Sequence, residues 1–152
     1  MRVLLLFICL LAAGTLAGCA NATPAPRDQP RPGSAIAQRE IEDFIGGALP
    51  AGAEQILAQT QDGMDRLMAI SFVAPPAQVD SFIGVLAPGT PLKSGRNPFP
   101  SAVAEDVSWW AADSAVEYAG VSFIAANGKS YEVMVDTSAP ERWRVYLRVF
   151  TL

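Results

Sequence analysis

Apolar and polar side chains alternate without interruption near the end of the chain, over residues 142–150. The apolar members of this alternation are Trp143, Val145, Leu147 and Val149. A period of two is that of a β-strand, in which successive side chains point to opposite faces of a sheet. The pattern therefore predicts a half-buried strand, and its polar face contains Arg142, Arg144, Tyr146 and Arg148.

Two further pairs of strands are predicted on either side of turn residues. The first pair covers residues 55–60 and 66–73, around Gln61-Asp62-Gly63. The second pair covers residues 117–126 and 130–136, around Asn127-Gly128. Asn-Gly is typical of a tight hairpin because both residues tolerate a positive φ. Each pair is therefore expected to form an antiparallel hairpin.

Two segments have the helical spacing of three and four residues between apolar positions. In the first, Ser34 is a possible N-cap, and the apolar positions are Ala37, Ile41, Phe44, Ile45 and Ala48. Gly46-Gly47 and Pro50 are expected to end this short helix. In the second, Pro75-Pro76 suits an opening turn, and the apolar positions are Val79, Phe82, Ile83 and Leu86.

The order of these elements predicts an α+β domain over residues 35–152. We expect a mostly antiparallel sheet of about five strands, with one main helix packed on one face and a short N-terminal helix beside it. Residues 90–101, which contain Pro91, Gly95 and Asn97-Pro98, are expected to form a long loop.

The start of the chain has the three parts of an export signal: Arg2, an apolar run over residues 3–13 and a small-residue cleavage site. Leu16-Ala17-Gly18-Cys19 resembles the bacterial lipobox. That resemblance implies that residues 1–18 are a signal peptide and that Cys19 of the mature lipoprotein is acylated. The alternative is an ordinary signal peptide or an uncleaved anchor, but the apolar run is shorter than the roughly 20 residues of a membrane-spanning helix.

Four prolines, Pro24, Pro26, Pro30 and Pro32, lie in residues 19–34 and predict an extended tether between the lipid and the domain. Two or three acyl chains hold a protein at a membrane essentially permanently. Ala20 stands where lipoproteins retained in the inner membrane usually carry Asp. The resemblance therefore implies a protein of the bacterial cell envelope, anchored in the outer membrane and facing the periplasm.

Composition excludes several function classes. The chain of 152 residues has a net charge of −4, and a charge of this sign disfavours nucleic-acid binding. It contains no histidine. The lipobox resemblance further implies that Cys9 is removed with the signal and that Cys19 is consumed by the lipid. No Ser-His pair, Cys-His pair or disulfide is then possible. We expect no cofactor, no metal and no enzymatic activity.

The candidate binding residues are three aromatic side chains, Phe99, Trp109 and Trp110. An exposed tryptophan is a strong anchor for a protein partner or a sugar. Phe99 stands between two prolines, which can present it to solvent or hold it in the core. The alternative for the tryptophan pair is that both rings pack over the sheet. Exposure of the rings distinguishes the two interpretations.

Charged clusters offer weaker candidates. The acidic residues Glu105, Asp106, Asp113 and Glu117 surround the tryptophan pair, where carboxylates can act as acid and base or bind a hard cation. Solvated loop charge is the simpler interpretation. The arginines of the last strand can receive an acidic partner or pair with Glu132 and Asp136 on the neighbouring strand.

The leading functional hypothesis is a non-enzymatic envelope lipoprotein that binds a protein or an envelope polymer. Its partners are the membrane, through the lipid on Cys19, and an envelope protein. An alternative is a small-ligand receptor with a cavity between the helix at residues 75–86, the Trp109-Trp110 loop and the sheet. A carboxylate-dependent hydrolase is a third hypothesis.

We predict that Cys19→Ser abolishes lipid attachment, because serine lacks the thiol that receives the acyl group. The variant should appear in the soluble fraction or accumulate as an unprocessed precursor. Metabolic labelling with a radioactive fatty acid, followed by detergent-phase partitioning, measures both effects. Cys9→Ser is the matched control, and it should retain wild-type labelling. Equal labelling of Cys19→Ser and the wild type would contradict the lipobox assignment.

Overall fold

The computed structural model describes residues 36–63, 65–99 and 107–151. The proposed signal peptide, the tether, Cys19, Ser34, Glu105 and Asp106 lie outside these residues. The elements, in chain order, are α1 (Gln38–Ile45), β1 (Glu54–Asp62), β2 (Arg66–Ala74), α2 (Pro76–Leu86), β3 (Lys93–Ser94), a 3₁₀ turn (Ala112–Ser114), β4 (Tyr118–Ile124), β5 (Lys129–Asp136) and β6 (Trp143–Thr151). An α+β fold is therefore confirmed.

The strands form one antiparallel sheet in the order β1-β2-β6-β5-β4-β3. The sheet has six strands rather than the predicted five, because β3 lies within residues 90–101, where a loop was expected. Gly120 on β4 explains this addition. A side chain at Gly120 would collide with the backbone oxygen of Arg96 and approach the Pro98 Cδ to 2.8 Å. The bare glycine thus lets the segment after β3 cross closely over β4.

One face of the sheet, here called the inner face, packs against both helices. Phe72 on β2, Val133 on β5 and Leu147 on β6 are fully buried on this face. From α2, Val79, Phe82 and Ile83 complete the core, and α1 adds Ile41, Phe44 and Ile45. Placement of the main helix on one face of the sheet is confirmed.

The helix boundaries agree with the predicted stop signals but not with the predicted N-cap. α1 begins at Gln38 with Ala37 in the N-cap position, so a cap at Ser34 is wrong for this helix. Gly46 has a φ of 73° and ends α1, as expected. α2 begins at Pro76, the position where the missing N–H of proline costs no helical hydrogen bond.

The β4–β5 hairpin is confirmed, but its turn differs from the predicted one. Of the two turn residues, Gly128 alone has a positive φ, 78°. The Gly128 N–H donates to the Ala125 oxygen (2.9 Å), and the Ala125 N–H donates to the Lys129 oxygen (2.9 Å). This is a three-residue loop closed by a left-handed glycine rather than a two-residue turn. Asn127 therefore remains in an ordinary backbone conformation, and its side chain is available for other contacts.

The second face of the sheet, here called the outer face, is also covered, which corrects the expectation of a solvated polar stripe on β6. Tyr146 is only 3% exposed, and Ser71 beside it on β2 is fully buried. The segment that precedes β4 contributes Val107, Trp110 and Ala112 to an outer cluster with Tyr146 and other sheet residues. β6 is therefore buried along its inner face and also at Tyr146 on its outer face, where Arg144 and Arg148 remain partly exposed.

Candidate functional site

A pocket of about 700 Å³ opens on the inner side of the sheet, at the margin of the core. Three segments form its walls: the connection from α1 to β1, one side of α2 and the β4–β5 hairpin. A pocket of this size is within the range of small-molecule sites. It is the candidate functional site.

The first wall is shaped by the end of α1. The Gly46 and Gly47 N–H groups both donate to the Glu42 backbone oxygen, at 2.9 and 3.1 Å. The Glu42 carboxylate also accepts hydrogen bonds from the Leu49 N–H (3.1 Å) and from Gln38. These hydrogen bonds, from Gln38 and then from Leu49, lower the pKa of the Glu42 carboxyl. Glu42 thus fixes the connection through hydrogen bonds to its backbone. Gly47 lines the pocket and has no side chain to occupy it.

The second wall is a stripe along α2. Gln78, Ser81, Phe82 and Val85 recur at the three- and four-residue spacing that places side chains on one side of a helix. The Ser81 hydroxyl donates to the Ala77 oxygen of its own helix (2.9 Å). Phe82 also packs against Phe72 with a centroid distance of 5.6 Å, so this wall is anchored in the core.

The floor of the pocket is aromatic and belongs to the hairpin. Phe123 and Tyr131 stack with ring centroids 5.0 Å apart and nearly parallel planes, at 2°. The Tyr131 hydroxyl donates to the Ile45 oxygen (2.8 Å), which ties the floor to the end of α1. The same hydroxyl accepts a hydrogen bond from the Asn127 amide nitrogen (3.1 Å). The hairpin and the first wall are therefore joined through one buried tyrosine.

The described residues that line the pocket are all uncharged. Their polar side chains are Gln78, Ser81, Thr90, Asn127 and Tyr131. Two large apolar side chains at the rim are open to solvent: Val85 is 81% exposed and Ile124 is 66% exposed. Exposed apolar side chains grouped around a concave surface are typical of a binding site.

The predicted site residues lie elsewhere, in the outer cluster. Trp110 is 7% exposed and packs against Phe99 (4.9 Å between centroids) and Tyr146 (5.1 Å). Trp110 therefore packs over the sheet, which was the alternative to its being an exposed anchor. Trp109 lies 5.8 Å from Trp110 and is partly exposed, as is Phe99. A binding role for these three residues stays a prediction.

The expected cavity between α2, the Trp109-Trp110 loop and the sheet is not possible in this arrangement. α2 packs on the inner face and the tryptophans pack on the outer face, with the sheet between them. The pocket was missed because its walls come from three separated segments. A signal was present in Val85, an apolar residue outside the helical pattern that predicted the buried face of its element.

Arg142, just before β6, and the two arginines within β6 all have partners in the domain. Arg148 pairs with Glu132 on β5 (3.0 Å), as the alternative interpretation predicted, and Arg142 pairs with Glu54 (2.8 Å). Arg144 donates to Gln55 (2.6 Å). Burial raises the pKa of the Glu132 carboxyl, and the Arg148 guanidinium opposes this shift.

The candidate carboxylates do not converge in the described part of the chain. Asp113 is exposed and accepts a hydrogen bond from Asn97 (3.2 Å), and Glu117 is exposed. Within residues 36–63, 65–99 and 107–151, no group of three or more acidic, histidine or cysteine side chains is placed to hold a metal ion. No helix in these ranges has the length and apolar character needed to cross a membrane.

We predict that Trp110→Ala lowers the free energy of unfolding by about 3–5 kcal/mol, because it removes a large side chain from the outer cluster. Val116→Ala is the control, since Val116 is 85% exposed, and it should change stability by less than about 0.5 kcal/mol. Urea denaturation measures both. A Trp110→Ala variant as stable as the wild type would contradict the packing role.

The Glu132 carboxyl predicts a pH-dependent effect on stability. Because its folded pKa is raised, its stabilising contribution is fully present below the ordinary value of 4.5 and is lost as the pH rises through the folded pKa. Glu132→Gln should therefore gain stability relative to the wild type as the pH rises from the ordinary pKa of the carboxyl, 4.5, toward neutrality. Denaturant melts across this range test the sign. In an Arg148→Met background the opposing charge is absent, so the pH-dependent stability gain from Glu132→Gln should be larger. A stability difference between Glu132→Gln and the wild type that does not change with pH would contradict the raised pKa.

Comparisons with protein-family models, with curated proteins and with solved structures find no match for this chain. What the pocket binds must therefore be inferred from its own lining residues. These residues define an apolar, uncharged concavity with a few polar side chains.

Proposed function

We propose that the protein is a lipid-anchored, non-enzymatic lipoprotein of the bacterial envelope that binds an uncharged, mainly apolar small molecule. The pocket between α1, α2 and the β4–β5 hairpin is the observation that carries this proposal. Ligand sites are typically concave and mostly apolar, with a few polar groups that orient the ligand. The lining residues have this composition.

Small-ligand binding is favoured over capture of a partner protein through Phe99, Trp109 and Trp110. Trp110 contributes its ring to the outer cluster, so little of it is accessible to a partner. The pocket instead has open space beside exposed apolar side chains, Val85 and Ile124. The hydrolase hypothesis is the least supported, because Asp113 and Glu117 are solvated surface residues.

The proposed anchor gives this binding activity a location. Acylation at Cys19 and the proline-rich residues 19–34 would hold the domain on a tether at the membrane surface. Ala20 after the acylated cysteine supports outer-membrane anchoring with the domain facing the periplasm. In that position the domain meets apolar molecules that leave or approach a bilayer.

A neutral fluorescent dye, N-phenyl-1-naphthylamine, tests the proposal. The full-length chain carrying Cys19→Ser is used so that no attached acyl chain competes for the pocket. We predict saturable binding, and Val85→Asp should weaken it by about fivefold or more because a charge is placed at the apolar rim. Gly47→Trp should also weaken binding. No atom lies within 4 Å of a Cβ placed at Gly47, so a tryptophan ring has room to occupy ligand space there.

Val116→Asp is the matched control for Val85→Asp. Val116 has the same side chain and a similar exposure, 85% against 81%, but it does not line the pocket. Its variant should bind the dye within about twofold of the wild type. If Val85→Asp and Val116→Asp lower the dye affinity equally, the dye binds elsewhere. The same conclusion follows if Gly47→Trp leaves the affinity unchanged.

A further inference from the structure

We infer that the pocket selects an uncharged ligand that carries a hydrogen-bond acceptor, such as an ester carbonyl on an apolar chain, and that the Asn127 amide orients this acceptor. The inference rests on the proposed function and assigns a ligand class to the same pocket. Three observations carry it: the direction of a hydrogen-bond chain, the use of the other polar groups and the absence of charge from the lining.

The direction of the hydrogen-bond chain is determined by its last acceptor. The Ile45 carbonyl can only accept, so the Tyr131 hydroxyl donates to it (2.8 Å). The hydroxyl must then accept from its other partner, which is the Asn127 Nδ2 (3.1 Å). At the opposite end of the amide, the Oδ1 accepts from the Lys129 N–H (3.0 Å). The two bonds place the amide nitrogen, and not the oxygen, on the Tyr131 side.

This orientation leaves one side-chain N–H of Asn127 unused at the hairpin end of the pocket. The Asn127 nitrogen carries two N–H groups, and the chain to Tyr131 uses one of them. The Tyr131 hydrogen is used on Ile45, and the Ser81 hydrogen is used on Ala77. A ligand that reaches this end therefore meets a donor.

Asn127 is also held in position before a ligand arrives. Hydrogen bonds at both ends of its amide fix the side chain, so a ligand acceptor pays little additional ordering cost. Gln78 and Thr90 carry polar groups on the α2 side of the pocket. No hydrogen bond of their side chains is found in the described part of the chain, so they lack this preorganisation.

The charge of the lining excludes a free acid as the preferred ligand. A carboxylate in an apolar pocket loses hydration and needs a cation to compensate. The nearest basic side chain along the hairpin, Lys129, is turned toward α1: its ammonium donates to the Phe44 oxygen and lies 4.5 Å from the Phe44 ring centroid. It does not line the pocket. A neutral carbonyl is satisfied by the Asn127 donor alone.

Competition against the neutral dye on the full-length Cys19→Ser chain tests the inference with a matched pair of ligands. Methyl decanoate and decanoate have the same chain and differ in charge. At neutral pH, the ester should displace the dye at a concentration about tenfold lower than the acid. Butylbenzene, which is apolar and has no strong acceptor, is the reference for binding without the hydrogen bond.

Asn127→Asp tests the donor. Aspartate keeps an oxygen for the Lys129 N–H but lacks the N–H groups, so the affinity of methyl decanoate relative to butylbenzene should fall by about fivefold or more. Asn127→Ala, which removes the N–H groups and adds no charge, should lower the same ratio. Asn97→Asp is the control because the Asn97 Oδ1 accepts from the Phe99 N–H (2.9 Å) in the same local geometry, away from the pocket.

The outcomes separate the inference from the proposed function. If the dye binds and is displaced, but ester and acid compete equally or both Asn127 variants keep the wild-type ratio, the inference is overturned and small-ligand binding stands. If the wild-type pocket binds no dye, the proposed function and the inference fail together. Thermal melts identify an Asn127 variant that does not fold, in which case the other variant and the ester-acid pair decide.

Discussion

Packing of side chains against both faces of β6 is the constraint on which the rest of the structure depends. The strand pairs with β2 on one side and β5 on the other along nearly its whole length. Its inner face carries Val145, Leu147 and Val149, all fully buried, and the two helices pack there. Its outer face carries Tyr146, on which Trp110 packs. The sheet therefore separates a packed aromatic side from the side that opens into the pocket.

The pocket lies at the margin of the inner core, where the α1–β1 connection, α2 and the β4–β5 hairpin extend beyond the packed side chains. α1 stops at Ile45, and Gly46 and Gly47, which follow it, line the pocket. Tyr131 is 1% exposed, yet its hydroxyl reaches the end of α1 and so fixes the distance between two walls. The second wall, α2, is positioned by the packing of Phe82 on Phe72. Each wall is thus attached to the core by a buried aromatic side chain, which favours a preformed pocket.

Local patterns predicted most of the fold, because period and turn chemistry act over a few residues. The strands around residues 60–70 and 128, and the start of α2 at Pro76, followed from such signals. β3 did not, since it depends on the missing side chain of Gly120, which is distant in sequence. Burial of Tyr146 did not follow from local patterns either, because the segment that covers it is brought there by tertiary packing. The pocket depends on three separated segments, and only Val85 gave a local indication of it.

The lack of charge around the pocket is informative in a chain of this composition. Charged residues make up 17% of the sequence, and surface positions normally hold most of them. The described lining nevertheless contains none, while the α1 residues Glu42 and Asp43 lie just outside it. Glu42 contributes its carboxylate to the backbone of the wall instead of to the open space. Because the Glu42 carboxylate is used in this way and no carboxylate belongs to the described lining, an uncharged ligand meets apolar surface and an amide donor without a competing carboxylate.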